Sequence, residues 1–225
     1  MLKKTWLVLK SIVLGLRVLF RPKTGIFALI EFGNAISDTK GARLAAEKIQ
    51  QDPSAFDLID QKYSLNLLNV ENLSSNLVKY KENSLGYELC QHLKKLNSDG
   101  YPVPLESDYS NDIYIRERRR EIHDLLHVVT GYGTSYKDEA CLNAFIAAKG
   151  PMPVCILIPA GVIIRCVFLT PKDLDATCSA IANAWQRGKT ANSVFGIKWE
   201  QYLDLPVKEA QDALFINNTT AIETL

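Results

Sequence analysis

The chain has 225 residues, of which 47% are hydrophobic and 23% charged, with a formal net charge of +1. That length suits one domain, or one domain with a small appendage, and can bury a sizeable core without disulfide staples. The near-neutral balance excludes the basic footprint of a nucleic-acid binder, so no nucleic-acid partner is expected.

Residues 1–24 stand apart, beginning M-L-K-K-T-W-L-V-L-K-S-I-V-L-G-L-R-V-L-F-R-P. Lys10 and Arg17 interrupt the apolar run and no small-residue cleavage site follows, unlike a signal peptide. The run is also short for a membrane span. Lys3, Lys10 and Arg17 form one basic seam on an otherwise apolar helix. This segment is either a helix packed into the protein or an interfacial helix lying on a membrane.

From residue 25 onward the pattern is mostly helical, without internal repeats. A helix is predicted over 39–51, stopped by Asp52-Pro53, and a short one over 54–61. Helical spacing continues at 66–73. Residues 85–96 are amphipathic, with Leu85, Leu89, Leu93 and Leu96 on one stripe. His92 lies near that stripe and reads as a structural residue. Residues 97–102 form a loop. The next helix covers 111–130, opened by Ser110-Asn111-Asp112 and closed by Gly131. Ser135 caps a helix over 136–149. The most apolar run, 155–169, fits a buried strand, but its helical neighbours favour a buried helix, interrupted or kinked at Pro159. A helix from Asp173 to Gln186 is ended by Gly188, and a last helix follows Pro206. The five cysteines are dispersed with no C-x-x-C, so buried thiols in a reducing compartment are expected. The expected fold is all-α: a compact multi-helix single domain over 25–225, with a metal site between two antiparallel helices.

That site is read from E-I-H-D-L-L-H-V-V-T-G-Y-G, residues 121–133, which holds two of the chain's three histidines. On a helix, His123 and His127 lie about 40° apart and one turn separated, so two imidazoles cover one spot. They flank a core stripe of Ile115, Ile122, Leu126 and Val129. An i, i+4 histidine pair is a metal-binding device. Asp124 can ligate the metal, hold a ligating water or orient a neighbour, and is the candidate catalytic carboxylate. Glu139 follows across the Gly131–Gly133 turn, on a helical face shared with Leu142 and Ile146. The residues alone leave two readings open: a metal site, or packed histidines with Asp124 paired to Arg120 and Glu139 favoured at a helix start.

H-D-L-L-H at 123–127, eleven further residues and Glu139 resemble the H-D-x-x-H…E motif of the coenzyme Q biosynthesis protein 4 family. The resemblance extends to G-N-A-I-S-D-T-K-G-A-R-L at 33–44, S-L-G-Y-E-L at 84–89, A-W-Q-R-G-K at 184–189 and K-W-E-Q-Y-L-D-L-P-V at 198–207, covering roughly 25–210. It implies an all-helical fold with a divalent metal, zinc first and iron, manganese or magnesium as alternatives, held by His123, Asp124, His127 and Glu139. It also implies a role in ubiquinone or prenylquinone biosynthesis on a ring with a polyisoprenoid tail. That role is either replacement of the C1 carboxyl by hydroxyl, an oxidative decarboxylation, or that of a scaffold for other quinone-biosynthesis enzymes. The start of the chain lacks an Arg/Ser-rich presequence, which suggests a bacterial member.

Arg116, Arg119 and Arg120 project into the sector of the two histidines, one to two turns upstream. Guanidinium groups pair well with carboxylates and phosphates, so these arginines either bind an anionic head group or pair with Glu117 and Glu121. The expected partners are therefore a polyprenyl lipid (a prenyl phosphate or a prenylated aromatic ring), a membrane surface and quinone-biosynthesis enzymes, with a homo-oligomer also open. The expected place is cytoplasmic, peripheral on the inner face of a membrane. A third reading, an HD-type phosphohydrolase, would need His92 as its upstream histidine and leaves His127 and Glu139 without a role.

Overall fold

A computed structural model of the chain describes residues 36, 39–64, 79–96 and 110–215. The expectations for residues 1–24, 66–73 and 97–102 fall outside the described residues. Among the described residues eight α-helices follow in order: α1 Lys40–Gln50, α2 Pro53–Asp60, α3 Leu85–Lys95, α4 Asn111–Thr130, α5 Tyr136–Ala147, α6 Pro153–Leu169, α7 Leu174–Thr190 and α8 Val207–Phe215. Short 3-10 turns lie at Pro171–Asp173, Val194–Gly196 and Trp199–Tyr202. The all-α expectation holds.

The helix boundaries follow local chemistry. Asp52 accepts from the Ser54 N–H and Pro53 opens α2. Ser84 caps α3 and Ser135 caps α5 through their side chains. Gly131 closes α4 in the left-handed region, at φ 76°.

The helices condense into two units. One draws on Met1–Ala45 and Thr134–Lys189, the other on Ala46–Gly133 and Thr190–Leu225. In the first, α5 packs on α6. Ala140, Val162 and Cys166 form a core cluster joined by Tyr136, Leu174 and Ile181. A Cβ on Gly188 would sit 2.2 Å from the Phe145 carbonyl oxygen. Gly188 therefore admits close approach of α7 to α5 and does not stop α7, which runs on to Thr190.

The apolar run at 155–169 is helical as expected, and α6 passes through Pro159. It is not buried throughout. Cys155, Pro159, Val162 and Cys166, spaced at i, i+4, i+7 and i+11, are buried. Ile156, Leu157, Ile164, Val167, Phe168 and Leu169 are exposed, Phe168 to 70%. The neighbours of a helix cover one stripe of it, and here they leave a second apolar stripe uncovered. Among the described residues no helix is long and apolar enough to cross a membrane.

In the second unit α4 is the central element, packed with α2, α3, α8 and the turn at Val194–Gly196. Its stripe Ile115, Ile122, Leu126 and Val129 is buried as expected, together with Leu125. The start of α3 is fastened by Leu85 N–H donating to the Leu205 carbonyl (2.8 Å) and Gly86 N–H to the Leu203 carbonyl (2.8 Å). Those bonds satisfy donors that a helix start leaves without intrahelical partners. The α3 stripe is buried at Leu85, Leu89 and Leu93, but Leu96, at the helix end, is exposed. Four cysteines, Cys90, Cys141, Cys155 and Cys166, are buried thiols as expected, whereas Cys178 is exposed. Burial pushes the Cys90 and Cys141 thiols up.

Arg118 is completely buried. Its Nη1 donates to Glu121 Oε2 at 2.8 Å and its Nη2 to the Ile197 carbonyl at 3.1 Å. Ser64 Oγ donates to the other Glu121 oxygen at 2.7 Å. Removing one partner of a buried ion pair strands the other, at a cost of about 3–5 kcal/mol. Arg118→Ala should therefore shift the urea midpoint by a loss of that size. The double variant Arg118→Met/Glu121→Leu should recover part of it, as measured by denaturant unfolding.

Candidate functional site

All three histidines of the chain meet in the second unit. Helix α4 presents His123 and His127 one turn apart, and α3 brings His92. The His92 and His127 rings stack with centroids 5.2 Å apart and planes at 25°. His123 stands edge-on to His127, with centroids 4.8 Å apart and planes at 81°. His127 is buried, while His92, His123 and Asp124 are half-buried.

The end of α4 sets the chemistry of His127. Gly131 turns the backbone, its N–H donating to the His127 carbonyl at 3.0 Å. The next carbonyl, that of Tyr132, lies 3.0 Å from His127 Nδ1. A carbonyl only accepts, so Nδ1 is the donor in this contact and Nε2 is the nitrogen that faces away from it. Metal-ligating histidines are held in the same manner.

Asp124 lies beside this pair, with Oδ1 3.6 Å from His123 Nδ1. Burial alone would raise its carboxyl pKa. The hydrogen bond and charge of His123, with the charges of His92 and His127, outweigh burial and hold the carboxyl below its usual range. The donor atoms of His92, Asp124 and His127 all lie within 4.8 Å of one another. Two imidazoles and one carboxylate form a donor set suited to zinc, iron(II) or manganese.

The other expected site residues are placed as follows. Glu139 is half-buried in the first turn of α5, in the other unit, and its backbone carbonyl accepts from Asn143 Nδ2 at 2.9 Å. Arg116 and Arg120 converge on one carboxylate: Arg116 Nε donates to Glu117 Oε1 at 3.1 Å, and Arg120 Nη1 to both Glu117 oxygens at 2.7 and 3.0 Å. Arg119 differs. It is 9% exposed, and its Nε, among the described residues, has no hydrogen-bond partner. A cleft of about 490 Å³ near Asp57, Lys198 and Tyr202 contains none of the expected site residues.

Sequence reasoning underrated two residues. His92 lies on the α3 stripe, at i+7 from Leu85 and i+3 from Leu89, where an imidazole stands out among leucines. Arg118 falls between Ile115 and Ile122 on the core stripe of α4, so its burial was readable from spacing.

Comparison with known proteins shows the family and the fold. A curated rat protein, the mitochondrial ubiquinone biosynthesis protein COQ4 homolog of Rattus norvegicus, is 27% identical over 174 residues, covering 76% of this chain and 64% of its own length. The Homo sapiens counterpart is 26% identical over 178 residues, covering 75% of this chain and 65% of its own length. The chain thus spans just under two thirds of these relatives. A crystal structure from Nostoc punctiforme, of a protein with a proposed role in ubiquinone biosynthesis, superposes with a TM-score of 0.76 at 23% identity. That match covers 92% of this chain and 97% of the Nostoc chain, and shows a shared fold. The family model for coenzyme Q (ubiquinone) biosynthesis protein Coq4 matches residues 2–220, and the chain belongs to that family.

Proposed function

We propose that this member of a ubiquinone biosynthesis family is a metal-dependent protein that binds the anionic head group of a polyprenylated aromatic lipid. The observation that carries the reading is the His127–Tyr132 contact. The His127 Nδ1 faces the Tyr132 carbonyl, the support that orients a ligating histidine, and Asp124, held anionic, stands beside it. The resemblance adds His123 and Glu139 as further ligands. A bound divalent ion, zinc before iron, manganese or magnesium, would supply Lewis acidity at the head group or activate water or oxygen.

The side chains of the chain itself divide the remaining work. Arg119 is the arginine best suited to meet a ring carboxylate or a prenyl phosphate. Burying a guanidinium is costly without a counter-anion, and Glu117 is already shared between Arg116 and Arg120. Asp124, anionic near neutral pH, is placed to accept a proton from a ring hydroxyl or a water at one of its Oδ atoms. The corresponding reaction is oxidative decarboxylation at C1 of a polyprenyl-hydroxybenzoate-type ring, in which the ring carboxyl leaves as carbon dioxide while an external oxidant, dioxygen, accepts the two electrons and supplies the hydroxyl oxygen.

The tail and the membrane enter through α6. A chain of several isoprene units gains about 25 cal/mol per Å² of apolar surface removed from water. The exposed stripe of Leu157, Ile164 and Phe168 offers such a surface. Peripheral attachment to the inner face of a membrane, with substrate entering from the bilayer, follows. The same stripe also favours a second reading, a non-catalytic lipid-carrying scaffold that docks other quinone-biosynthesis enzymes. Turnover by purified protein separates the two.

Three outcomes follow from this reading. His127→Ala and Glu139→Ala should each lower bound metal at least about tenfold by elemental analysis, with the helical circular dichroism retained. Metal content equal to that of the unmutated protein would remove the metal from the reading. Arg119→Gln should weaken binding of a prenyl phosphate by about 10- to 100-fold, the scale of a lost charge-assisted hydrogen bond, and leave a neutral prenol nearly unaffected. Arg116→Gln and Arg120→Gln should do less. In flotation with anionic vesicles at low salt the intact chain should float, and Phe168→Glu should reduce the floated fraction. A chain that stays in solution under those conditions is not a peripheral membrane protein.

A further inference from the structure

We propose that His92 is itself a metal ligand, so that α3 and α4 together supply a three-donor set of His92, Asp124 and His127. The inference rests on the metal-dependent reading above and adds to it a residue that lies outside the H-D-x-x-H…E pattern.

Position makes the first argument. His92 sits among Leu85, Leu89 and Leu93, which are buried, on a helix that packs against α4. A polar ring on an apolar stripe needs polar company, and His127 and Asp124 of α4 offer it. Geometry makes the second. Two ligands about 2.0–2.1 Å from a tetrahedral zinc lie about 3.3 Å apart. The three donor atoms, within 4.8 Å of one another, therefore need to close by only about an ångström and a half, which side-chain rotation can provide. Support from the backbone makes the third. His92 and His127 stand on long helices, and ligands on helices are held more accurately than ligands on loops. The α3 start is pinned through Leu85 and Gly86, and His127 is pinned through Tyr132.

The chemical consequence concerns coordination. Two neutral imidazoles and one carboxylate leave a divalent ion with a net positive charge. His123 stands edge-on to His127 and 3.6 Å from Asp124, close enough to join the same donors.

The test titrates cobalt(II) into the full-length chain and follows the visible d–d absorption and the dissociation constant. His92→Phe keeps a ring in the stripe and removes the donor. It should weaken cobalt binding at least about tenfold and change the absorption envelope. His127→Ala serves as the reference for loss of a ligand. If the unmutated chain binds cobalt and His92→Phe binds it equally with the same spectrum, the His92 assignment is wrong while the metal reading stands. If the unmutated chain binds no cobalt, the metal reading itself fails. A second measurement does not depend on the variant folding. With only three histidines in the chain, ¹⁵N spectra of histidine-labelled protein resolve each ring. Zinc(II) addition should shift one His92 ring nitrogen together with His127 Nε2, and an unmoved His92 signal would overturn the proposal.

Discussion

A guanidinium with no access to water has to be matched by a carboxylate, and that requirement organises the second unit. Arg118 is such a group, and its fork is divided between Glu121 on its own helix and the Ile197 carbonyl on a distant stretch of chain. Glu121 is in turn held by Ser64. These bonds tie α4 to chain on either side of it in sequence and fix its rotation about its own axis. Fixing that rotation settles which side of α4 carries His123, Asp124 and His127. Buried ion pairs contribute little net stability against an apolar alternative, but they penalise wrong arrangements heavily. In this unit the bonds that leave the pair, to Ile197 and Ser64, are the ones that act on the orientation of the helix.

The same helix shows how one run of charge is sorted by environment. R-E-R-R-R-E at 116–121 reads as a basic cluster, yet its members differ in state. Arg118 is matched internally, Arg116 and Arg120 share Glu117, and Arg119 is buried with an Nε that bonds nothing among the described residues. Spacing of about 100° per residue spreads four neighbouring arginines around the helix. Each therefore meets a different partner, and a carboxylate count alone does not predict the outcome. A matched arginine is a structural element, whereas a buried one with an open donor keeps an unmet demand for an acceptor.

The first unit poses the opposite problem, too much apolar surface for its neighbours to cover. Helix α6 is apolar almost all round and buries only the stripe of Cys155, Pro159, Val162 and Cys166. An exposed ring such as Phe168 is unfavourable in water, and beside Leu157 and Ile164 it forms one apolar surface stripe. Close contact elsewhere in this unit depends on absence of bulk: Gly188 lets α7 approach α5 to a separation that no Cβ would permit.

Much of this was determined by the sequence alone. The helix starts at Leu85, Asn111 and Tyr136, the cap at Gly131, the apolar stripe of α4 and the His123/His127 pairing all follow from periodicity and capping, which act over a few residues. The family was legible for the same reason, because its motif is a spacing on one helix plus a carboxylate after a turn. Only the tertiary structure decided the rest. His92 joins the histidine pair because α3 packs on α4, a contact between residues more than thirty positions apart that no local pattern encodes. Asp124 is held below the usual carboxylate range against its burial, first by its helix neighbour His123 and further by His92, which only the packing of α3 on α4 brings near. The one-sided burial of α6 and the through-running of α7 past Gly188 were likewise set by which surfaces neighbours cover. Periodicity states that a face is apolar; only packing determines whether anything lies against it.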